Sequence, residues 1–164
     1  MRPFALAVLA LSIFNGAVFA ADQTWADLNL EVIDMYQKKE YAQAVPVAQQ
    51  ARDAAESEYG AESRESVLAM NNLAMLYKKT GHTTAAGPLY RNALKISEKL
   101  YGVDNPDLAL PLNNLAMFYN EQDDFKKADE YSQRAISILE KEYGPKHALT
   151  LQARERHEAM KKAR

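Results

Sequence analysis

The sequence predicts an all-α solenoid of antiparallel helix pairs, about three repeats closed by a C-terminal capping helix. Three observations predict it. The segment Asn71-Asn72-Leu73-Ala74-Met75 recurs unchanged as Asn113-Asn114-Leu115-Ala116-Met117, 42 residues later. The same offset carries Tyr59-Gly60 onto Tyr101-Gly102 and then Tyr143-Gly144, and it relates Ala44, Ala86 and Ala128, and Ala51, Ala93 and Ala135. Each period also holds two apolar stripes at helical spacing, separated by a short turn. A fixed period of this length marks stacked supersecondary units. Their equivalent positions line a common groove rather than a single catalytic pocket.

The first 20 residues are of a different kind. Arg2 supplies a positive n-region, Phe4 to Phe14 is apolar but for Ser12, and Val18-Phe19-Ala20 is a small-residue cleavage site. This predicts a signal peptide over 1–20, a mature chain from Ala21, and a periplasmic or secreted location. The rival is a retained anchor. The apolar stretch up to Ala21 is 18 residues long and contains Asn15-Gly16, short and weak beside the about 20 apolar residues of a spanning helix. With no cysteine in the chain, a lipidated cysteine and disulfides are both excluded.

Without the leader, 19 basic residues face 22 acidic ones, a net charge of −3. The two signs are interspersed, unlike the basic stripe that nucleic-acid backbones require. Residues 21–164 are enough for one domain.

The first repeat, about 25–60, keeps Tyr41, Ala44, Ala51 and Tyr59-Gly60. It has Glu31, Val32 and Met35 where the others have Leu, Ala and Tyr, as expected of a terminal unit with one unpartnered face. The second, about 63–102, carries Leu68, Leu73, Leu76 and Tyr77 on its first helix. Gly81 suits a left-handed turn position, and Ala86, Leu89, Tyr90, Ala93, Leu94 and Ile96 form the second stripe. The third, about 105–144, opens on Asn105-Pro106, an N-cap and a first-turn proline. It continues through Leu110, Leu115, Phe118 and Tyr119, then Phe125, Ala128, Tyr131, Ala135 and Ile136. Residues 146–162 start a capping helix with Ala148, Leu149, Leu151, Ala153 and Met160, interrupted by Arg154, Arg156, His157 and Lys161-Lys162. Ala74 or Ala116 facing Ala86/Ala93 or Ala128/Ala135 lets the helix axes approach closely. Pro46 and Pro88 are expected in or near the first turn of second helices. Pro111 requires that its helix either starts later than Asn105 or kinks.

Alanine at the eighth, twentieth and twenty-seventh positions with an aromatic at the eleventh reads Ala74, Tyr77, Ala86, Ala93 and again Ala116, Tyr119, Ala128, Ala135. This pattern resembles the tetratricopeptide repeat. The 42-residue period, the Asn-Asn-Leu-Ala core and the closing Tyr-Gly are similar to the long repeats of kinesin light chains. The resemblance covers about residues 25–145. It implies a right-handed superhelix whose first helices line a concave face, and a protein-binding scaffold. Gly87 inside a second helix, and Thr83 in place of the Tyr41/Phe125 aromatic, depart from the pattern.

First-helix positions then define candidate groove residues. One ladder is Asn29, Asn71 and Asn113, a second is Ile33, Met75 and Met117, and a third is Ala26, Leu68 and Leu110. Lower rungs hold Tyr36, Lys78 and Asn120, then Gln37, Lys79 and Glu121. An asparagine amide offers two donors and an acceptor to an extended peptide, and methionines give adaptable apolar contact. In the similar kinesin-light-chain repeats this asparagine faces the ligand, which the resemblance carries to Asn71 and Asn113 and, less closely, Asn29. The alternative is that these asparagines bridge neighbouring repeats. Asn72 and Asn114 are expected to be structural, pointing toward the next repeat. Tyr77, Tyr90, Tyr101, Tyr119, Tyr131 and Tyr143 are expected in the core or between repeats.

Nothing in the sequence supports catalysis, a metal or a cofactor. His82, His147 and His157 are isolated, Asp123-Asp124 reads as a helix cap, and the Arg154–Arg164 tail reads as a solvated face. The expected partner is a protein or peptide bound by a monomer, with no nucleic acid and no stable membrane insertion after leader cleavage. The alternatives are a structural subunit of an envelope assembly, against which the imperfect first repeat and charged last helix both argue, or a form anchored by an uncleaved N-terminal helix.

Overall fold

Local capping sets where the helices begin. The computed structural model of the chain describes residues 23–163, so the expected leader lies outside the described residues. Helix α1 (Trp25–Gln37) starts at Thr24, whose hydroxyl accepts from the Asp27 N–H while the Asp27 carboxylate accepts from the Thr24 N–H, both at 3.3 Å. This reciprocal pair satisfies two otherwise unpaired donors. Ser63 caps α3 (Arg64–Lys79) by accepting from the Ser66 N–H at 3.1 Å. Asp124 caps α6 (Phe125–Tyr143) by accepting from the Lys127 N–H at 3.2 Å. The Lys127 ammonium, and then that N–H, hold the Asp124 carboxyl below the usual carboxylate range.

Proline behaves differently at its two kinds of site. Asn105 caps only a 3-10 turn over Pro106–Leu108, and α5 proper runs Ala109–Asn120. The helix therefore starts later than Asn105. Pro111 becomes its third residue, where an N–H would have no intrahelical acceptor, and no kink is needed. Pro46 and Pro88 are instead the sixth residues of α2 (Tyr41–Tyr59) and α4 (Thr83–Tyr101). They lie past the first turn, deeper than expected, and each removes one helical hydrogen bond. Both are exposed, so the freed carbonyls of the preceding turn can be met by water.

Within each repeat the chain reverses through one left-handed residue. Lys39, Gly81 and Asp123, related by the 42-residue offset, have φ of 63°, 81° and 58°. Only the middle repeat uses the residue that adopts this conformation without penalty.

The hairpins α1–α2, α3–α4 and α5–α6 stack in order, and α7 (Ala148–Lys162) follows as a first helix with no second. Helix α1 touches α3, α3 touches α5 and α5 touches α7, whereas among the described residues α2 does not touch α4, nor α4 touch α6. The odd helices thus converge on the concave side and the even helices fan apart on the convex side. This is the all-α superhelical solenoid that the sequence predicts.

Ala74, Ala86, Ala93, Ala116, Ala128 and Ala135 are all 0% exposed, as the close approach of paired helices requires. Between repeats, Leu73 and Leu76 pack with Val32, Ala44 and Ala48, while Leu112, Leu115 and Phe118 pack with Tyr90 and Leu94. Polar contacts repeat as well. Gln49 Nε2 donates to the Tyr77 hydroxyl at 2.7 Å, and 42 residues on Arg91 Nη1 donates to the Tyr119 hydroxyl at 3.4 Å. Lys99 pairs with Glu62 and, one period later, Lys141 pairs with Asp104. Helix α7 buries Thr150, Ala153 and His157 and is held to α6 by Arg154 Nε donating to Glu140 at 2.8 Å.

Gly87 has a packing explanation. A Cβ there would lie 3.0 Å from Phe118 Cζ and 3.2 Å from Cε1. One period earlier the same two positions hold Val45 and Leu76, which pack in one cluster. A larger side chain on one helix is matched by a missing one on the other. Gly87→Val should therefore destabilise by about 1–3 kcal/mol through overpacking, and adding Phe118→Leu should recover most of the loss. Thermal melts of both single variants and the double variant check this; strictly additive losses would remove the pairing.

Candidate functional site

A cavity of about 410 Å3 opens between the N-terminal halves of α3, α5 and α7. Its walls are mainly apolar. Leu68 and Leu110, from equivalent positions of α3 and α5, are joined by Leu149 of α7 and by Pro106 and Pro111. Leu110 and Leu149 are 54% and 46% exposed, apolar surface left open to solvent rather than packed in the core. Tyr101 and Tyr143, the last residues of α4 and α6, also line it. Tyr143 is 44% exposed and stacks on His147 with ring centroids 4.7 Å apart. These two tyrosines are thus not core residues as expected. The end of a second helix projects past the hairpin contact, so its terminal side chain reaches the groove mouth.

The asparagines are arranged as a directional ladder. Asn72 Nδ2 donates to Asn29 Oδ1 at 2.9 Å, and Asn114 Nδ2 donates to Asn71 Oδ1 at 3.2 Å. Asn72 and Asn114 reach back to the preceding repeat, not forward, because the second asparagine lies one residue beyond the period. Asn71 is further engaged, since its Nδ2 donates to the Val67 carbonyl at 2.9 Å. Asn29 and Asn71 therefore bridge repeats in this structure. Asn71 and Asn113 are each 7% exposed and both line the cavity, but the Asn113 amide side chain makes no hydrogen bond.

The structure brings together Leu68, Asn71, Leu110 and Asn113. The remaining candidates lie outside the cavity lining. Ile33 and Met117 are exposed, while Asn29, Met75 and Asn120 are half-buried. Lys78 is tied to Glu121 at 2.9 Å, joining the ends of α3 and α5, and Lys79 is exposed in the last turn of α3.

Polar lining comes also from residues the repeat pattern did not single out: Arg64, Asp107, Gln152 and Arg156. Arg156 stands 42 residues beyond Asn114, where a further rung donor would be. Extending the offset into the last helix would have found it, although its side chain no longer resembles the repeat. Among the described residues no group of three His, Asp or Glu is placed to hold a metal ion. No described helix is long and apolar enough to cross a membrane.

The tetratricopeptide repeat pattern matches residues 28–99, 66–141 and 107–156. The chain belongs to the tetratricopeptide repeat family. The third match extends into α7, which agrees with its place as the first helix of an incomplete further unit. Among solved structures, this tetratricopeptide chain is similar to BtubC (BKLC) from P. vanneervenii, at a TM-score of 0.75 and 23% identity over 85% of this chain and 56% of that one. It is also similar to a Podosopora anserina putative kinesin light chain with nearly identical TPR-like repeats, at a TM-score of 0.74 and 17% identity over 84% of this chain and 65% of that one. The chain spans less than two thirds of either length. At these identities the likeness concerns the fold. No curated protein matches the chain.

The ladder separates two kinds of asparagine by their effect on stability. Asn114→Ala removes an inter-repeat hydrogen bond and should cost about 0.5–1.5 kcal/mol, whereas Asn113→Ala should leave the chemical denaturation midpoint close to that of the parent. Equal losses in the two variants would show that Asn113 is held as firmly as Asn71.

Proposed function

We propose that the chain is an exported, non-enzymatic scaffold whose concave groove holds a peptide segment or a partner protein. The observation that carries this reading is the convergence of α3, α5 and α7 on one open cavity with apolar walls and a few inward polar groups. That combination suits recognition, because apolar contact supplies affinity and sparse polar groups fix orientation. Tetratricopeptide repeats are typically protein-interaction scaffolds, which supports the same reading. The lower rungs, Met75, Met117 and the exposed Ile33, extend the surface along which a longer segment could lie.

A photoreactive residue at position 110, on the groove wall, should crosslink a discrete partner in intact cells. The same residue at position 95, exposed on the convex face of α4, should not. Equal labelling from both positions would refute a groove-specific partner.

Export rests on the leader pattern of residues 1–20. N-terminal sequencing of the protein from its native compartment should begin at Ala21 or within a residue or two of it. An intact Met1 in a carbonate-resistant membrane fraction would establish the anchored form instead.

A further inference from the structure

Arg52, Arg91, Arg134 and Arg154 each donate to a carboxylate or a hydroxyl within the chain. The other two described arginines, Arg64 and Arg156, donate to nothing, and both line the cavity. They stand on different walls, one in the first turn of α3 and the other on α7. On α5, between those helices in the stack, is Asn113, 7% exposed and the ladder asparagine whose amide is unpaired. Asn71 cannot contribute a donor in the same way, because its Nδ2 is already given to Val67. The convergent unpartnered groups of the cavity are thus mainly donors.

One acid lines the same cavity. Asp107 is exposed in the 3-10 turn, and no ion pair joins it to either arginine. The lining therefore carries two guanidinium groups against one carboxylate. Leu68, Leu110, Leu149 and Tyr143 surround them with apolar surface, which strengthens a charged hydrogen bond relative to bulk water. A guanidinium presents a planar fork of N–H groups that matches the two oxygens of a carboxylate.

We infer that the groove ligand bears a carboxylate, held by Arg64, Arg156 and the Asn113 Nδ2–H groups, with an adjoining apolar side chain among Leu68, Leu110 and Leu149. This rests on the peptide-groove reading above. It also gives the capping helix a second role. At the ladder position where another asparagine would have closed the rung on Asn113, α7 places a cation, so the same helix that ends the solenoid completes the site.

A carboxylate can come from a chain terminus or from an internal Asp or Glu, and three probes separate these sources. They are N-acetyl-leucine, N-acetyl-leucyl-glutamic acid amide and N-acetyl-leucyl-glutamine amide, titrated into the full mature chain with side-chain NMR signals of Arg64, Asn113 and Arg156 as the readout. At least one acid should shift all three residues and bind roughly tenfold more tightly than the neutral amide, as expected for charge-assisted hydrogen bonds. Arg64→Gln and Arg156→Gln should each abolish that preference without changing the melting temperature. Asp107→Asn should increase it, and Lys162→Gln should leave it unchanged. Binding of N-acetyl-leucine alone would assign a chain terminus, and binding of the glutamic acid amide would assign an internal acidic residue. If the neutral amide binds as tightly as the acids, the arginine site is overturned while the peptide groove stands. If none of the three probes binds, the carboxylate site is likewise overturned, and the position-specific crosslink decides the groove by itself.

Discussion

The contact on which the rest of the molecule depends is the small-residue seam inside each hairpin. Ala74 against Ala86 and Ala93, and Ala116 against Ala128 and Ala135, have no exposed surface. Paired helices can then sit near the lower end of the about 8–10 Å range of helix spacings. Their larger side chains are directed outward to the neighbouring hairpins. Leu73, Leu76, Leu112 and Leu115 bury themselves between repeats rather than within one. A single hairpin consequently has little core of its own, and stability is a property of the stack. The same geometry turns the first helices toward one side, which creates the groove.

Most of the fold was legible because its constraint is periodic. A residue required by the seam is required again one period later, so the alanines announce themselves without any knowledge of contacts. Features that break the period were harder. Pro111 had two possible outcomes because the 3-10 turn before α5 depends on the Asn105 cap, which competes with a direct helical start. Pro46 and Pro88 recur at equivalent positions, but recurrence alone does not say how far inside a helix they lie. Gly87 looked like a defect until Phe118, far along the chain, filled its space.

The site was less legible than the fold for a related reason. Equivalent positions identified Leu68, Leu110, Asn71 and Asn113, which the structure does bring to one cavity. Repetition could not reveal that these asparagines are in different states, since that depends on what the following repeat supplies. Nor could it raise Arg64 or Arg156, whose counterparts in other repeats have different chemistry. Tyr101 and Tyr143 were visible as repeats, yet helical spacing cannot distinguish a buried end from one that overhangs a groove. Periodicity describes what units share; a site at one end of a stack is made from what they do not share.

The asparagine ladder gives the solenoid a polarity that simple stacking lacks. Each rung runs from the second asparagine of one repeat to the first of the repeat before it. An inserted internal repeat would add one donor and one acceptor, and these would satisfy each other. Lengthening this protein by duplication would therefore enlarge its surface without multiplying its free amides: a single open end would simply travel to the new C-terminal unit. A chain of this kind can grow or shrink by whole repeats while its binding stoichiometry stays at one.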